Sequence, residues 1–142
     1  MMMAIFMLLM LSGIGVLAIK YASIHAKHFA DSFIKEQAQL FKDSVIETTL
    51  LKIEGIDRRG GQCPKKFDFI SPDGRFEANV TILHYYLYNG KDNDGSSSCA
   101  NAIAIKTPES HGYVEMEVVV STRAGAKVQN PIRIYDRSLQ RP

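Results

Sequence analysis

The stretch MMMAIFMLLMLSGIGVLAIK (residues 1–20) decides the fold of this chain, because nineteen uncharged and mostly apolar residues precede its first lysine. As a helix, these nineteen residues span about 28 Å, close to the hydrocarbon thickness of a bilayer. A secretory signal peptide begins with a positively charged segment, and this stretch has none. We therefore expect a membrane-competent helix that is retained in the working protein.

The helical pattern continues past Lys20, with no proline or glycine before Gly55. Gly55 and the following loop supply the signals of a helix end. The chain is thus expected to form one helix over residues 1–54, apolar all round in residues 1–19 and amphipathic in residues 20–54. The expected apolar stripe of the second part consists of Tyr21, Ile24, Phe29, Phe33, Leu40, Phe41, Val45, Leu50 and Ile53.

In residues 55–142 the apolar period changes from that of a helix to that of strands. Five short strands are predicted, at residues 66–70, 75–88, 100–106, 113–122 and 132–136, separated by turn sequences such as SPDG (residues 71–74). These features predict an α+β fold, in which an antiparallel β-sheet head is covered by the amphipathic part of the helix. In the longest strand the expected apolar face consists of Phe76, Ala78, Val80, Ile82, Tyr86 and Tyr88.

The chain has two cysteines, Cys63 and Cys99. Their wide spacing suits no zinc motif, and in an exported domain it is most simply read as one disulfide. Two reduced, buried cysteines are the alternative. The disulfide and export of the head therefore depend on each other.

A long helix that is apolar and then amphipathic, a sheet packed on it and a cysteine pair together resemble a type IV pilin or pseudopilin. In that family a peptidase removes a short basic leader, and the apolar segments pack as the core of a filament. The resemblance implies that this chain is such a mature form. It further implies that the filament core, or the membrane helix before assembly, includes Met1, Ile5, Phe6, Leu9, Gly13, Ile14, Gly15 and Leu17.

One residue departs from the family pattern. Most members carry a glutamate at the fifth mature position, where this chain has Ile5. Certain minor subunits, notably the tip-forming pseudopilins, lack that glutamate. The resemblance therefore leaves open a major subunit or a minor or tip subunit.

The expected function is that of a structural subunit of an extracellular pilus-like filament, located in the inner membrane before assembly. Its expected partners are identical or homologous subunits, the membrane and the pilus assembly machinery. A monomeric, single-span membrane-anchored protein whose exported head binds a partner is the alternative. A formal net charge of +2 gives no reason to expect nucleic-acid binding. From Arg123 to the end the chain is locally cationic, and the simplest interpretation of this tail is a solvated edge rather than a binding patch. Its basic residues are Arg123, Lys127, Arg133, Arg137 and Arg141, against Asp136 alone.

No constellation in the sequence indicates an enzyme, and neither a cofactor nor a metal is expected. His25 and His28 have a spacing that suits a shared metal, but Lys27 lies between them, and solvent exposure or a filament contact is the simpler interpretation. Asp92 and Asp94 only partly match a calcium loop, so a polar turn is favoured there. His84 and His111 have no evident triad partners in the sequence.

Asn79 is a candidate glycosylation site, because it forms an acceptor sequence with Thr81 and lies on the polar side of its predicted strand. Glu77 completes the stricter form of this acceptor, which resembles the one used by some bacterial oligosaccharide transferases. In a host that glycosylates exported proteins, mass spectrometry of the native protein is expected to find added sugar on the peptide that carries Asn79. An unmodified peptide beside other glycosylated proteins from that host would contradict this prediction.

Overall fold

The structure is a computed structural model and describes residues 2–56, 63–90, 99–126 and 130–141. One helix, α1, spans Met2–Glu54, and five strands follow it. The strands are β1 (Lys66–Ile70), β2 (Phe76–Tyr88), β3 (Ala102–Ile105), β4 (Tyr113–Thr122) and β5 (Arg133–Gln140). The predicted α+β fold is confirmed, and each of the five predicted strands has its counterpart. The chain forms two compact units, Met1–Gln37 and Ala38–Pro142, with α1 running through both.

The sheet has the order β1-β2-β4-β5, and these four strands are antiparallel to their neighbours. The short strand β3 pairs with the end of β2 in parallel, on the same edge that β1 uses. The turn between β1 and β2 is SPDG, in which Gly74 has a φ of +69° and its amide donates to the carbonyl of Ser71. Glycine adopts this left-handed conformation without the steric cost that a side chain would add.

The core of the second unit lies between one face of the sheet and one side of α1. The sheet contributes alternate residues of β2 and β4, among them Val80 and Met116, all nearly inaccessible to solvent. The helix contributes the buried residues Ala38, Val45, Ile46, Thr49 and Ile53. The Thr49 hydroxyl donates to the carbonyl of Val45, so this buried polar group is satisfied within the helix.

Three contacts fix the helix on the sheet within this unit. The Phe41 ring stacks on the Phe76 ring, with 6.4 Å between centroids. The Lys42 ammonium lies 3.6 Å from a carboxylate oxygen of Asp136. At the end of the helix, the Lys52 ammonium lies 4.6 Å from the Phe69 ring centroid, a favourable cation–π distance.

The predicted apolar stripe of α1 is partly wrong. Val45 and Ile53 are buried as expected, but Tyr21, Ile24, Phe29, Phe33 and Leu40 are exposed. Tyr21, Ile24, Phe29 and Phe33 belong to the unit Met1–Gln37, whereas the buried core consists of residues of the unit Ala38–Pro142. For Leu40 the reason is the helical period. At about 100° per residue, Leu40 points some 160° away from Ala38 and thus away from the buried side.

The predicted face of β2 is also wrong at its end. A β-bulge between Ile82 and His84 shifts the register of β2 against β4. Beyond the bulge, Tyr85 and Leu87 are therefore the buried residues, and Tyr88 is exposed. An extra residue in a strand reverses the side to which every later side chain points, and simple alternation fails there.

Replacing Ile53 by alanine tests the buried side of α1. Because Ile53 is fully buried, we expect Ile53→Ala to lower the free energy of unfolding by about 2–4 kcal/mol. The measurement is urea unfolding of the full chain in detergent, followed by the near-ultraviolet circular dichroism of its tyrosines. Leu51→Ala is the matched control, since Leu51 is 67% exposed, and we expect a change below about 0.5 kcal/mol. Equal losses in both variants would contradict this assignment of faces.

Candidate functional site

The most unusual surface of the protein is the apolar part of α1. The predicted residues of this segment are exposed in the structure, and Ile5, Phe6 and Leu9 each retain 59–68% of their accessible surface. Ile14 and Leu17 are similarly exposed, and Met1 lies outside the described residues. Large apolar patches are rarely left in water, because covering them is strongly favourable. This segment therefore requires lipid or protein around it.

By length and composition, α1 contains one stretch that is suited to crossing a membrane. A signal sequence near the start of a chain meets the same two criteria. The helix continues without interruption through Gly13 and Gly15. A Cβ atom added at either glycine would meet no atom within 4 Å. Glycines on a helix surface let a second helix approach closely. One side of the segment also carries Met3, Met7 and Met10, whose flexible side chains adapt to irregular partners.

The two cysteines form a disulfide, Cys63–Cys99, with 5.6 Å between their Cα atoms. The sequence-based pairing is confirmed. Each cysteine precedes the first residue of a short strand by three positions, Cys63 before β1 and Cys99 before β3. Structural disulfides persist in oxidising compartments, so the bond is consistent with an exported head.

The β-bulge of β2 is held by the segment beside this disulfide. The Asn101 side-chain amide lies 3.4 Å and 3.3 Å from the carbonyl oxygens of Ile82 and Leu83. The Tyr85 amide donates to the Asn101 carbonyl, and the Tyr85 hydroxyl donates to the Pro64 carbonyl at 2.8 Å. The bulge is therefore supported by the segments that follow both cysteines. This support fixes the outward direction of the His84 side chain.

The outward-facing side of the sheet carries an ion-pair cluster that the sequence did not reveal. His84 Nδ1 lies 2.8 Å from Glu115 Oε2, and Arg137 donates two hydrogen bonds to Glu115 Oε1, at 2.9 and 2.6 Å. The hydrogen bond with His84, followed by that from Arg137, holds the pKa of Glu115 below its ordinary value of 4.5. The three residues come from three strands, β2, β4 and β5, so only the strand register brings them together.

The other candidates occupy separate places. Asn79 is exposed on the outward face of the sheet, opposite Asp68 of β1 and Val119 of β4. His111 Nδ1 accepts a hydrogen bond from the Tyr88 amide. His25 and His28 are exposed on α1. Among the described residues, no group of three or more histidine, cysteine or acidic side chains is placed to hold a metal. The loop segment with Asp92, Asp94 and Gly95 lies outside the described residues.

Comparisons with family models, with curated proteins and with solved structures give no match for this chain.

The lowered pKa of Glu115 predicts how the stability of the fold depends on pH. Because the folded pKa is lowered, the carboxylate stabilises the fold above the unfolded pKa, and this contribution disappears as the pH falls through the folded value. We expect Glu115→Gln to be less stable than the parent near neutral pH. This difference in unfolding free energy should shrink as the pH is lowered from about 7 to about 3.

The measurement is a series of urea unfolding curves for the full chain at several pH values. Arg137→Gln, alone and combined with Glu115→Gln, completes a double-mutant cycle. The combined variant is expected to be no more pH-dependent than Glu115→Gln, because both changes disrupt one interaction. A difference between parent and Glu115→Gln that stays constant across the pH range would contradict the assigned shift.

Proposed function

We propose that this protein is a structural subunit of an extracellular, type IV pilus-like filament, assembled through the apolar part of α1. Before assembly that segment lies in the inner membrane and the head lies outside it. After assembly the segment packs among the corresponding helices of neighbouring subunits, where protein contacts replace lipid. The partners are therefore further copies of this chain or homologous subunits, delivered by an assembly machinery.

The observation that carries the proposal is one continuous helix with two different environments. Within Met2–Glu54, the described side chains of residues 3–19 are exposed around the whole helix, whereas Ala38, Val45 and Ile53 are buried in the head. A helix that is apolar on all sides needs apolar neighbours on all sides. A bundle of identical helices supplies them outside a membrane, and lipid supplies them inside one.

The head supports the proposal in two further ways. An antiparallel sheet with one covered face is the layout expected of a pilin-like head, and the Cys63–Cys99 bond suits an oxidising compartment.

The apolar segment also supports the proposal. Gly13 and Gly15 leave open space on its surface, into which neighbouring helices fit closely.

A second candidate is a single-span membrane protein whose exported head binds a partner. It is favoured by the fact that one span of this length and composition suffices as an anchor. Ile5, in place of the glutamate common in the pilin family, favours a minor or tip subunit within the first candidate. These possibilities differ in where the protein is found and in what amount.

Rearranging residues 2–12 among themselves separates packing from simple hydrophobicity. Composition and membrane insertion are preserved, while the specific fit of side chains between helices is lost. In the producing organism, we expect the rearranged protein to reach the membrane at the parental level. Its amount in fibres sheared from the cells should fall by at least about tenfold, which corresponds to 1.4 kcal/mol of packing energy.

A second variant, rearranged only in residues 7–12, keeps the first six residues intact and controls for altered processing at the start of the chain. It should reach the membrane normally and show the same direction of loss from the fibres. If the parent and both variants were all confined to the membrane fraction, the single-span protein would replace the filament subunit. A parent present in fibres only in trace amounts would indicate the minor or tip subunit.

A further inference from the structure

The side of α1 that faces away from the sheet carries a row of acidic and apolar residues. We call it the acidic helix face, and it consists of Leu40, Asp43, Glu47, Leu51 and Glu54. At about 100° per residue, these five positions fall within an arc of about 80°. All five are exposed, with Leu40 at 70% and Leu51 at 67%. Two leucines in water, flanked by three carboxylates, mark a surface that is suited to a partner.

The lysines of the same helical stretch lie elsewhere. Lys42 and Lys52 are each about 140° from the centre of the acidic helix face. Both engage the sheet, Lys42 through Asp136 and Lys52 over the ring of Phe69. The Lys42 ammonium also reaches one oxygen of Asp43, at 3.3 Å. Within residues 38–54 the charges are thus divided by side, and the acidic helix face carries no basic residue.

On the opposite side of the head, the outward face of β5 carries the opposite charge. We call this row the cationic strand face, and it consists of Arg133, Tyr135, Arg137, Leu139 and Arg141. All five are exposed, with Tyr135 at 59% and Leu139 at 55%. The intervening side chains, such as Asp136, point towards the helix, because successive residues of a strand face opposite sides of the sheet.

Neighbouring strands hold the cationic strand face in position. Arg137 is hydrogen-bonded to Glu115, and the Tyr135 hydroxyl donates to Glu117. The Arg141 guanidinium lies over the Tyr113 ring, 5.6 Å from its centroid. Glu115 and Glu117 compensate part of the positive charge at the centre of the row. The charge available to a partner is therefore concentrated at its two ends, on Arg133 and Arg141.

We propose that the acidic helix face of one copy of this chain docks on the cationic strand face of the next copy. Leu40 and Leu51 are about 16 Å apart along the helix, and Tyr135 and Leu139 are about 13 Å apart along the strand. The apolar pairs therefore have comparable spacing and form the centre of the contact. The carboxylates and guanidinium groups flank them and set the orientation, as charges do at the rim of an interface.

The placement of the two faces determines the kind of assembly. The helix and the sheet form two layers, so the two faces point in opposite directions from one head. Each copy then offers one face to the copy before it and the other to the copy after it. Unlike a two-fold dimer, such a head-to-tail contact passes from copy to copy, and it gives an open filament when the rotation between copies does not close into a ring. The inference rests on the proposed filament role and specifies which surfaces of the heads meet.

Charge reversal tests the contact in sheared fibres. One variant carries Asp43→Lys, Glu47→Lys and Glu54→Lys, and another carries Arg133→Glu and Arg141→Glu. Each is expected to reduce the amount of subunit in fibres by about tenfold, the combined effect of several rim ion pairs. A chain carrying both sets restores opposite charges between the helix face and the two ends of the strand face, and should recover to within about threefold of the parent. The control for the arginine variant is Lys65→Glu with Lys106→Glu, which makes the same change in net charge as that variant at exposed positions outside both faces.

A photo-crosslinking phenylalanine derivative at Leu51 of the full chain gives a readout that does not depend on fibres. We expect crosslinked peptides that join position 51 to β5 of a second chain, and none when the derivative is at Lys106. Near-ultraviolet circular dichroism verifies that each variant is folded.

Loss without recovery in the combined, folded variant, or crosslinks from position 51 only to lipid or to other surfaces, would overturn the docking. If β5 crosslinks form while the parent is confined to the membrane fraction, the contact stands and the filament role fails. If the parent is in fibres but position 51 does not reach β5, the filament role stands and this contact fails.

Discussion

The packing of one side of α1 on the sheet determines which side chains the helix presents on the outside of the head. Once Ala38, Val45 and Ile53 are buried, the helical period dictates which residues point outwards. The lysines of this stretch are drawn to the sheet, by Asp136 and by the Phe69 ring, and most of the acids remain outside. A single packing choice thus produces both the core and a charged outer side.

The first part of the same helix obeys a different constraint. Its side chains are apolar in every direction, so no single sheet or groove satisfies them. A bilayer and a bundle of like helices both do, and a protein that moves from one to the other keeps its apolar surface covered throughout. The energetic difference between these environments comes from the fit between side chains, because lipid tails and leucine are similarly apolar.

The sequence predicted those features that depend on local pattern. The long helix followed from the apolar residues 1–19 and from residues 20–54, which contain no proline or glycine. The strands followed from alternation and turn residues. The sequence also predicted the exposed apolar residues of the first part of the helix and the Cys63–Cys99 pair. It did not predict the features that depend on strand or helix register. The bulge at Ile82 carries no local signal, since the run of aromatic residues after it suits either face. The His84–Glu115–Arg137 cluster joins three strands, and the exposed position of Leu40 became clear only when the buried side of α1 was known.

The arrangement around β2 has a consequence for the reduced protein. β1 and β3 approach the same edge of this strand with opposite polarity, and the disulfide joins the chain just ahead of both. Together they cover the backbone groups of β2 that would otherwise be free to pair with another chain. Reduction removes the tie between them and lets either short strand separate on its own. The newly exposed edge of a strand rich in β-branched and aromatic residues is a template for cross-β aggregation, so the disulfide also protects the head from aggregation.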